Sequence, residues 1–262
     1  MKRTRIAEDG KGYPDVLRPY FEGATVYDSS CSPFARVLYL EKDGGYYLKS
    51  AARDTLRREA EMTRYFASKG LGAEVLLYAT EGERDYFLTA RVKGEDCTDA
   101  QYLSDPKRLC DMLAERLRML HAESTDGCPI TDHTERYLKN VTENYQRGEY
   151  DLSYLPPSLR SLSADGAYAL VSENAGLLKN EVLLHGDYCL PNVMLDDWRF
   201  SGFIDVGNGG TGDRHVDLFW GAWTLNFNLK TDKYRERFFD AYGRDAIDAD
   251  RLSLVGAAEV FG

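Results

Sequence analysis

"HGDYCLPNVMLDDWRFSGFIDVGNG" (residues 185–209) sets Asp187, Asn192 and Asp205 beside two short apolar runs, each near an expected strand end. Turn chemistry explains part of it, because Asp, Asn, Gly and Pro are the ordinary turn formers. A metal–nucleotide site explains more. Phosphoryl transfer needs few parts, all electrostatic or positional: a cation on the phosphates, metal ligands, and an acid that orients the attacking hydroxyl. Magnesium prefers carboxylate and amide oxygens, which Asp205 and Asn192 offer, and Asp187 is left as candidate base. "VML" and "FSGFI" read as two strands joined by "DDWR". Such a hairpin brings the loop before it (185–192) and the loop after it (205–209) to the same end, facing one cleft.

The missing cation lies far upstream. "FARVLYLE" (34–41) and "YYLKSA" (46–51) are β-rich runs joined by "KDGG", a strong hairpin signal. Lys49 sits at the end of the second run behind the apolar Tyr47 and Leu48, an unusual place for a purely solvating lysine. "RDTLRREAEMTRYFASKG" (53–70) has helical apolar spacing at Leu56, Ala60, Tyr65 and Phe66. Glu59 on that helix is placed to pair with Lys49. "AEVLLYATE" and "DYFLTARV" alternate as two more strands, so the order is hairpin, helix, hairpin.

Beyond residue 98 the texture turns helical. "DPKRLCDMLAERLRMLHAE" opens on Asp105-Pro106 as an amphipathic helix. An acidic, Tyr-rich stretch (131–157) reads as helix then loop, "DGAYALVSENAGLLKN" as helix, and three helical segments follow the 185–209 motif. Trp198 reads as a turn residue, while Trp220 and Trp223 in "FWGAWTLNF" read as core. The expected fold class is α+β: a small antiparallel sheet lobe with one helix (1–94), then a larger, mainly helical lobe (95–262).

The net charge of −10 argues against a nucleic-acid partner, whose backbone needs clustered Lys and Arg, and favours a cationic ligand. No apolar run approaches a membrane span, and the basic N-terminus lacks the apolar stretch of an export signal. The five cysteines are scattered without metal-ligand spacing and read as reduced thiols. A cytoplasmic protein, monomeric or weakly dimeric, is expected.

These residues carry a resemblance. "HGDYCLPNVML" with "FSGFIDVGNGGTGDRHVDLFW", together with "YYLKS", "LRREAEM", "LRMLHAESTDGCP" and the final "AEVFG", is similar to the aminoglycoside phosphotransferase family on a protein-kinase-like fold. The likeness is to the 3′-phosphotransferases acting on kanamycin and neomycin. It implies Asp187 as catalytic base, Asn192 and Asp205 as magnesium ligands, Lys49 as the phosphate-binding lysine and Glu59 as its helix partner. It implies that Ser32 in "CSPFARV" approaches the β-phosphate, and that the backbone of Thr89, Ala90 and Arg91 bonds the adenine as a hinge. Asp217 would brace the catalytic loop, with His185 a structural residue of it. The implied cosubstrate is ATP, with GTP as the alternative, and the implied cofactor is Mg2+.

On the acceptor side the resemblance assigns Glu259, Asp151 and Asn208. Asn208 stands where relatives usually carry arginine, Ala258 where they carry aspartate, and "EYDLSYLPP" has a thinner acidic run than theirs. The expected activity is ATP-dependent phosphorylation of an aminoglycoside hydroxyl, the 3′ position first, giving resistance. The alternatives are a kinase of another small hydroxylated molecule on the same fold, or a non-catalytic nucleotide-binding pseudokinase.

Overall fold

A computed structural model describes residues 3–262, which divide into two units. The first takes in the chain to Cys97 together with Pro191–Asn208, and the second takes in Thr98–Leu190 with Gly209–Gly262.

The first unit is built on strands β1 (Thr4–Arg5), β2 (Thr25–Asp28), β3 (Ala35–Glu41), β4 (Tyr46–Ala52), β5 (Val75–Glu81) and β6 (Arg84–Ala90). They form one antiparallel sheet in the order β1-β2-β3-β4-β6-β5. Strand alternation sorts the side chains. Leu38, Leu40, Leu48 and Leu88 face Leu17 and Phe21, the latter on helix α1 (Arg18–Phe21). On the other face Ala51 and Phe87 meet Leu56 and Ala60 beside and within helix α2 (Arg57–Ser68). The "KDGG" turn closes with Asp43, Gly44 and Gly45 all at positive φ.

The expected hairpins and helix are present, with two differences. β1, β2 and α1 were not anticipated, being too short for a periodic signal. Helix α2 begins at Arg57, because Asp54 is left-handed (φ 65°) and the buried Asp85 carboxylate accepts the Leu56 N–H at 3.1 Å. That carboxylate also accepts hydrogen bonds from Thr80 and Tyr78, so it fastens the helix entry to β5 and β6.

The hairpin of Val193–Asp196 and Arg199–Phe203 completes this unit. Its turn is made by Asp197 and Trp198, both left-handed at φ 49° and 64°, as a two-residue hairpin loop demands. β7 (Glu95–Asp96) pairs with its first strand. Gly94 (φ 91°) makes that pairing possible, since a Cβ there would lie 1.9 Å from the Leu195 carbonyl oxygen.

The second unit contains α3 (Ala100–Leu103), α4 (Pro106–His121), α5 (His133–Arg147), α6 (Ala164–Asn174), α7 (His215–Leu229), α8 (Arg235–Tyr242) and α9 (Ala249–Ala258). Asp105 caps α4, with Pro106 at its first position. The core gathers Val141, Val171, Leu184, Val216, Leu254 and Phe261. A short ladder of Val182–Leu184 with Gly210–Gly212 carries the 185–190 loop out of that core. Trp220 and Trp223 pack against this core as partly buried side chains, in line with the core reading, whereas Phe227 on the same helix is 53 % exposed. All five cysteines are free thiols, and no helix among the described residues is long and apolar enough to cross a membrane.

Candidate active site

Lys49 lies in the middle of β4, between Val37 of β3 and Phe87 of β6, because the strand continues to Ala52. It is therefore an interior lysine of a six-stranded sheet, and an ammonium there needs partners. It has two: Glu59 Oε1 at 2.6 Å and Asp205 Oδ1 at 2.7 Å. Burial disfavours the Lys49 charge, but the two carboxylates outweigh it and hold the ammonium above the usual lysine range. Burial pushes the Glu59 carboxyl up, Lys49 pulls it down and Asp205 pushes it up again, with a net rise.

Asp205 reaches this position through a left-handed backbone (φ 55°), a conformation costly for a non-glycine residue and typical of functional turns. The Ile204 N–H donates to the Asn192 carbonyl at 3.1 Å, so the hairpin sets Asn192 next to Asp205. Gly207 lets α2 approach this loop, since a Cβ would meet Glu59 Cβ at 3.1 Å. Asn208 is exposed, and its carbonyl accepts from Arg58 at 3.3 Å.

A cavity opens from this charged cluster into the first unit. Its apolar walls are Ala35 and Val37 on one side and Ala73, Val92, Met194 and Ile204 on the other, with Ser32 and Cys31 also in the lining. Thr89 and Ala90 line it too. The N–H groups of Ala90 and Arg91 are committed elsewhere, to the carbonyls of Glu74 and Gly45, both at 2.9 Å. Those two donors of the expected hinge are thus taken by the fold. The Arg91 side chain turns to Gly94 and Glu95.

In the second unit, the loop bearing Asp187 is held from α7. Asp217, fully buried, accepts the N–H of His185 and that of Gly186, each at 2.8 Å, and meets His121 Nε2 at 3.3 Å. Burial alone would raise the Asp217 carboxyl; His121 and the backbone donors outweigh it and keep it below its usual range. His185 Nδ1 accepts the Asp187 N–H at 3.3 Å, as a structural loop histidine does. The Cys189 thiol bonds the Asp187 carboxylate, and burial followed by that carboxylate pushes the thiol far up. The Leu190 N–H donates to Thr224 of α7 at 3.1 Å.

Glu259 is buried, accepts from Tyr137 at 2.9 Å and is bonded by Trp220. Burial, opposed by those two donors and reinforced by Asp187, pushes its carboxyl up to about 7. Asp151 is exposed and caps the turn Leu152–Tyr154 through the Ser153 N–H at 2.8 Å. His121, Tyr137 and Trp220 were not singled out from the sequence for this network. Their partners lie on distant segments, and only the i, i+4 match of Asp217 to Gly221 and Trp220 to Thr224 on one helix hinted that α7 is two-sided.

The profile of the phosphotransferase enzyme family matches residues 34–254. A "probable aminoglycoside 3′-phosphotransferase" of Lactococcus lactis is 53 % identical over 100 % of this chain and 99 % of its own length. The aminoglycoside 3′-phosphotransferase of Niallia circulans is 28 % identical over 76 % of this chain and 75 % of its own. Among solved structures, an aminoglycoside 3′-phosphotransferase of type VIII superposes with TM-score 0.77 at 22 % identity, covering 98 % of this chain and all of that one. A Streptomyces rimosus aminoglycoside phosphotransferase solved with ADP and streptomycin gives 0.71 at 24 % identity over 86 % and 90 % of the two chains. The profile covers most of the sequence and the Lactococcus lactis relative matches it throughout, so this chain belongs to the phosphotransferase enzyme family.

Proposed function

We propose that the protein transfers the γ-phosphate of ATP to a hydroxyl of an aminoglycoside, the 3′ position first, and thereby protects its cell from the antibiotic. The observation that carries this reading is the Lys49–Glu59–Asp205 cluster in the wall of a largely apolar cavity. Apolar walls suit a purine, and a fixed ammonium beside a carboxylate suits phosphates and their metal. The Lactococcus lactis relative supports the substrate class.

In this reading Lys49, oriented by Glu59, holds the nucleotide phosphates, and Ser32 caps them from the loop above. The amide oxygen of Asn192 and the carboxylate of Asp205 hold magnesium. Their chemistry fits that ion, which takes one or two protein oxygens and completes its shell with phosphates and water. Among the described residues no cluster of three or more His, Cys, Asp or Glu side chains offers a different metal cage. When bound, the ion neutralises charge developing on the phosphates. Asp187 orients the acceptor hydroxyl and takes its proton, with its loop fixed by Asp217. Glu259, Asp151 and Asn208 belong to the acceptor side. An enzyme using ATP in this way works in the cytoplasm.

Purified protein assayed for ADP release over a panel of aminoglycosides tests this. Turnover with kanamycin or neomycin is expected, and Asp187→Asn should lower kcat by about 10²–10⁴-fold. Turnover only with other hydroxylated compounds would move the substrate class. Binding of ATP without any turnover would leave a pseudokinase.

A further inference from the structure

Helix α7 carries Trp220, Trp223 and Phe227 at i, i+3 and i+7, one face of the helix. Tyr154, from the turn Leu152–Tyr154, packs against both tryptophans with ring centroids 5.7 and 5.8 Å away. Trp220 and Trp223 meet edge to face at 5.3 Å, and Trp223 stacks on Phe227 at 4.8 Å. Stripes of this kind ordinarily bury themselves against a neighbour. These rings instead stand at the rim of the core, with Tyr154, Trp220 and Trp223 half buried and Phe227 exposed.

The cluster is continuous with the Asp187 loop. Trp220 bonds Glu259, Tyr154 lies within electrostatic reach of both Glu259 and Cys189, and Cys189 bonds Asp187. In the neighbouring 149–154 segment Glu149 pairs with Arg147 at 3.0 Å, and the exposed Asp151 also caps its own turn. An ammonium entering here meets aromatic faces, which attract cations through the ring quadrupole. The cluster already holds one such cation, since Lys230 Nζ sits 4.3 Å from the Phe227 centroid.

We propose that Tyr154, backed by Trp220 and Trp223, forms an aromatic wall of the acceptor site that receives an ammonium-bearing ring of the acceptor. The proposal rests on the aminoglycoside reading above and adds an aromatic surface beside its carboxylates. Tyr154 is its specificity-determining member.

Steady-state kinetics with neomycin on the full chain, comparing wild type with Tyr154→Leu and Tyr154→Phe, tests it. Tyr154→Leu should raise the neomycin KM about tenfold with kcat within about twofold, while Tyr154→Phe stays within about twofold in both. ADP affinity and Tm should be unchanged in both variants. Should Tyr154→Leu fail to fold, Trp223→Leu replaces it and should raise KM at least about threefold. An unchanged KM in the leucine variant overturns the wall, as does a phenylalanine variant as impaired as leucine. If wild type turns over no aminoglycoside, the functional reading fails, and calorimetric binding of neomycin to the same variants decides the wall separately. Affinity lost with leucine and kept with phenylalanine supports it; equal affinities, or no binding to wild type, overturn it.

Discussion

One carboxylate oxygen of Asp217 accepts the backbone N–H of His185, while the other accepts that of Gly186, both at 2.8 Å. A single buried charge thereby sets the path of the loop that carries Asp187.

Replacing Asp217 by Ala should therefore destabilise the protein by about 3 kcal/mol or more, because the buried His185 N–H, the partly buried Gly186 N–H and His121 lose their acceptor together. Urea unfolding followed by far-UV circular dichroism measures this. A loss under about 1 kcal/mol would mean the loop is held by other contacts.

Lys49→Met removes the ammonium that Glu59 and Asp205 share and leaves the two carboxylates facing each other. Turnover kcat/KM should fall by about 10²–10³-fold. Lys49→Arg should not restore it, since a longer, planar guanidinium does not reproduce a compact ammonium bonded at once to Glu59 and Asp205. Recovery above about a third of wild-type activity with arginine would argue for simple charge neutralisation.

Glu259 offers a pH test. Its carboxyl is raised from 4.5 to about 7 in the folded protein. The folded state therefore holds a proton that the unfolded chain releases, and ionising Glu259 costs stability as pH rises from 4.5 to 7. Glu259→Gln removes that cost, which at about 1.4 kcal/mol per pKa unit is of order 3 kcal/mol above pH 7. Differential scanning fluorimetry should show the variant more stable than wild type at pH 8.5, with the gap shrinking steadily as pH falls toward 4.5. A gap independent of pH would refute the assignment.

Gly94→Ala should cost more than about 2 kcal/mol, combining a left-handed backbone with the contact on the Leu195 carbonyl. Thermal unfolding of the variant reports it. Because β7 then separates from the 193–203 hairpin, ADP affinity should weaken in the same sample.

Much of this was legible in the sequence. The "DDWR" hairpin, the "KDGG" turn and the α4 cap follow from local rules in which each residue type has one cheap conformation. Lys49 and Glu59 could be paired because a charge inside an apolar strand needs a partner and the next helix offered one. The bond from Lys49 to Asp205 was not legible, being a tertiary contact across 156 residues of chain. Nor was the start of α2, which a distant buried Asp85 decides against local helical spacing. The apolar stripe on α7 was read as core, and Trp220 and Trp223 do pack there, but periodicity could not tell that Phe227 at its end is left exposed. The resemblance assigned Glu259 to the acceptor side, but nothing local foretold that Tyr137 and Trp220 bury and bond it.

The cavity walls of the first unit have a consequence for biosynthesis. Ala35, Val37, Ala73 and Val92 are translated early, whereas Met194 and Ile204, which finish the enclosure, leave the ribosome only after most of the second unit. Through that interval the nascent sheet shows apolar surface to water and to other chains, with a partner segment still unmade. Such long-range closure is slow and exposes intermediates to aggregation. The closed cavity is thus a late event in this chain's life, and the chain's yield in the cell will depend on how well the waiting sheet is shielded.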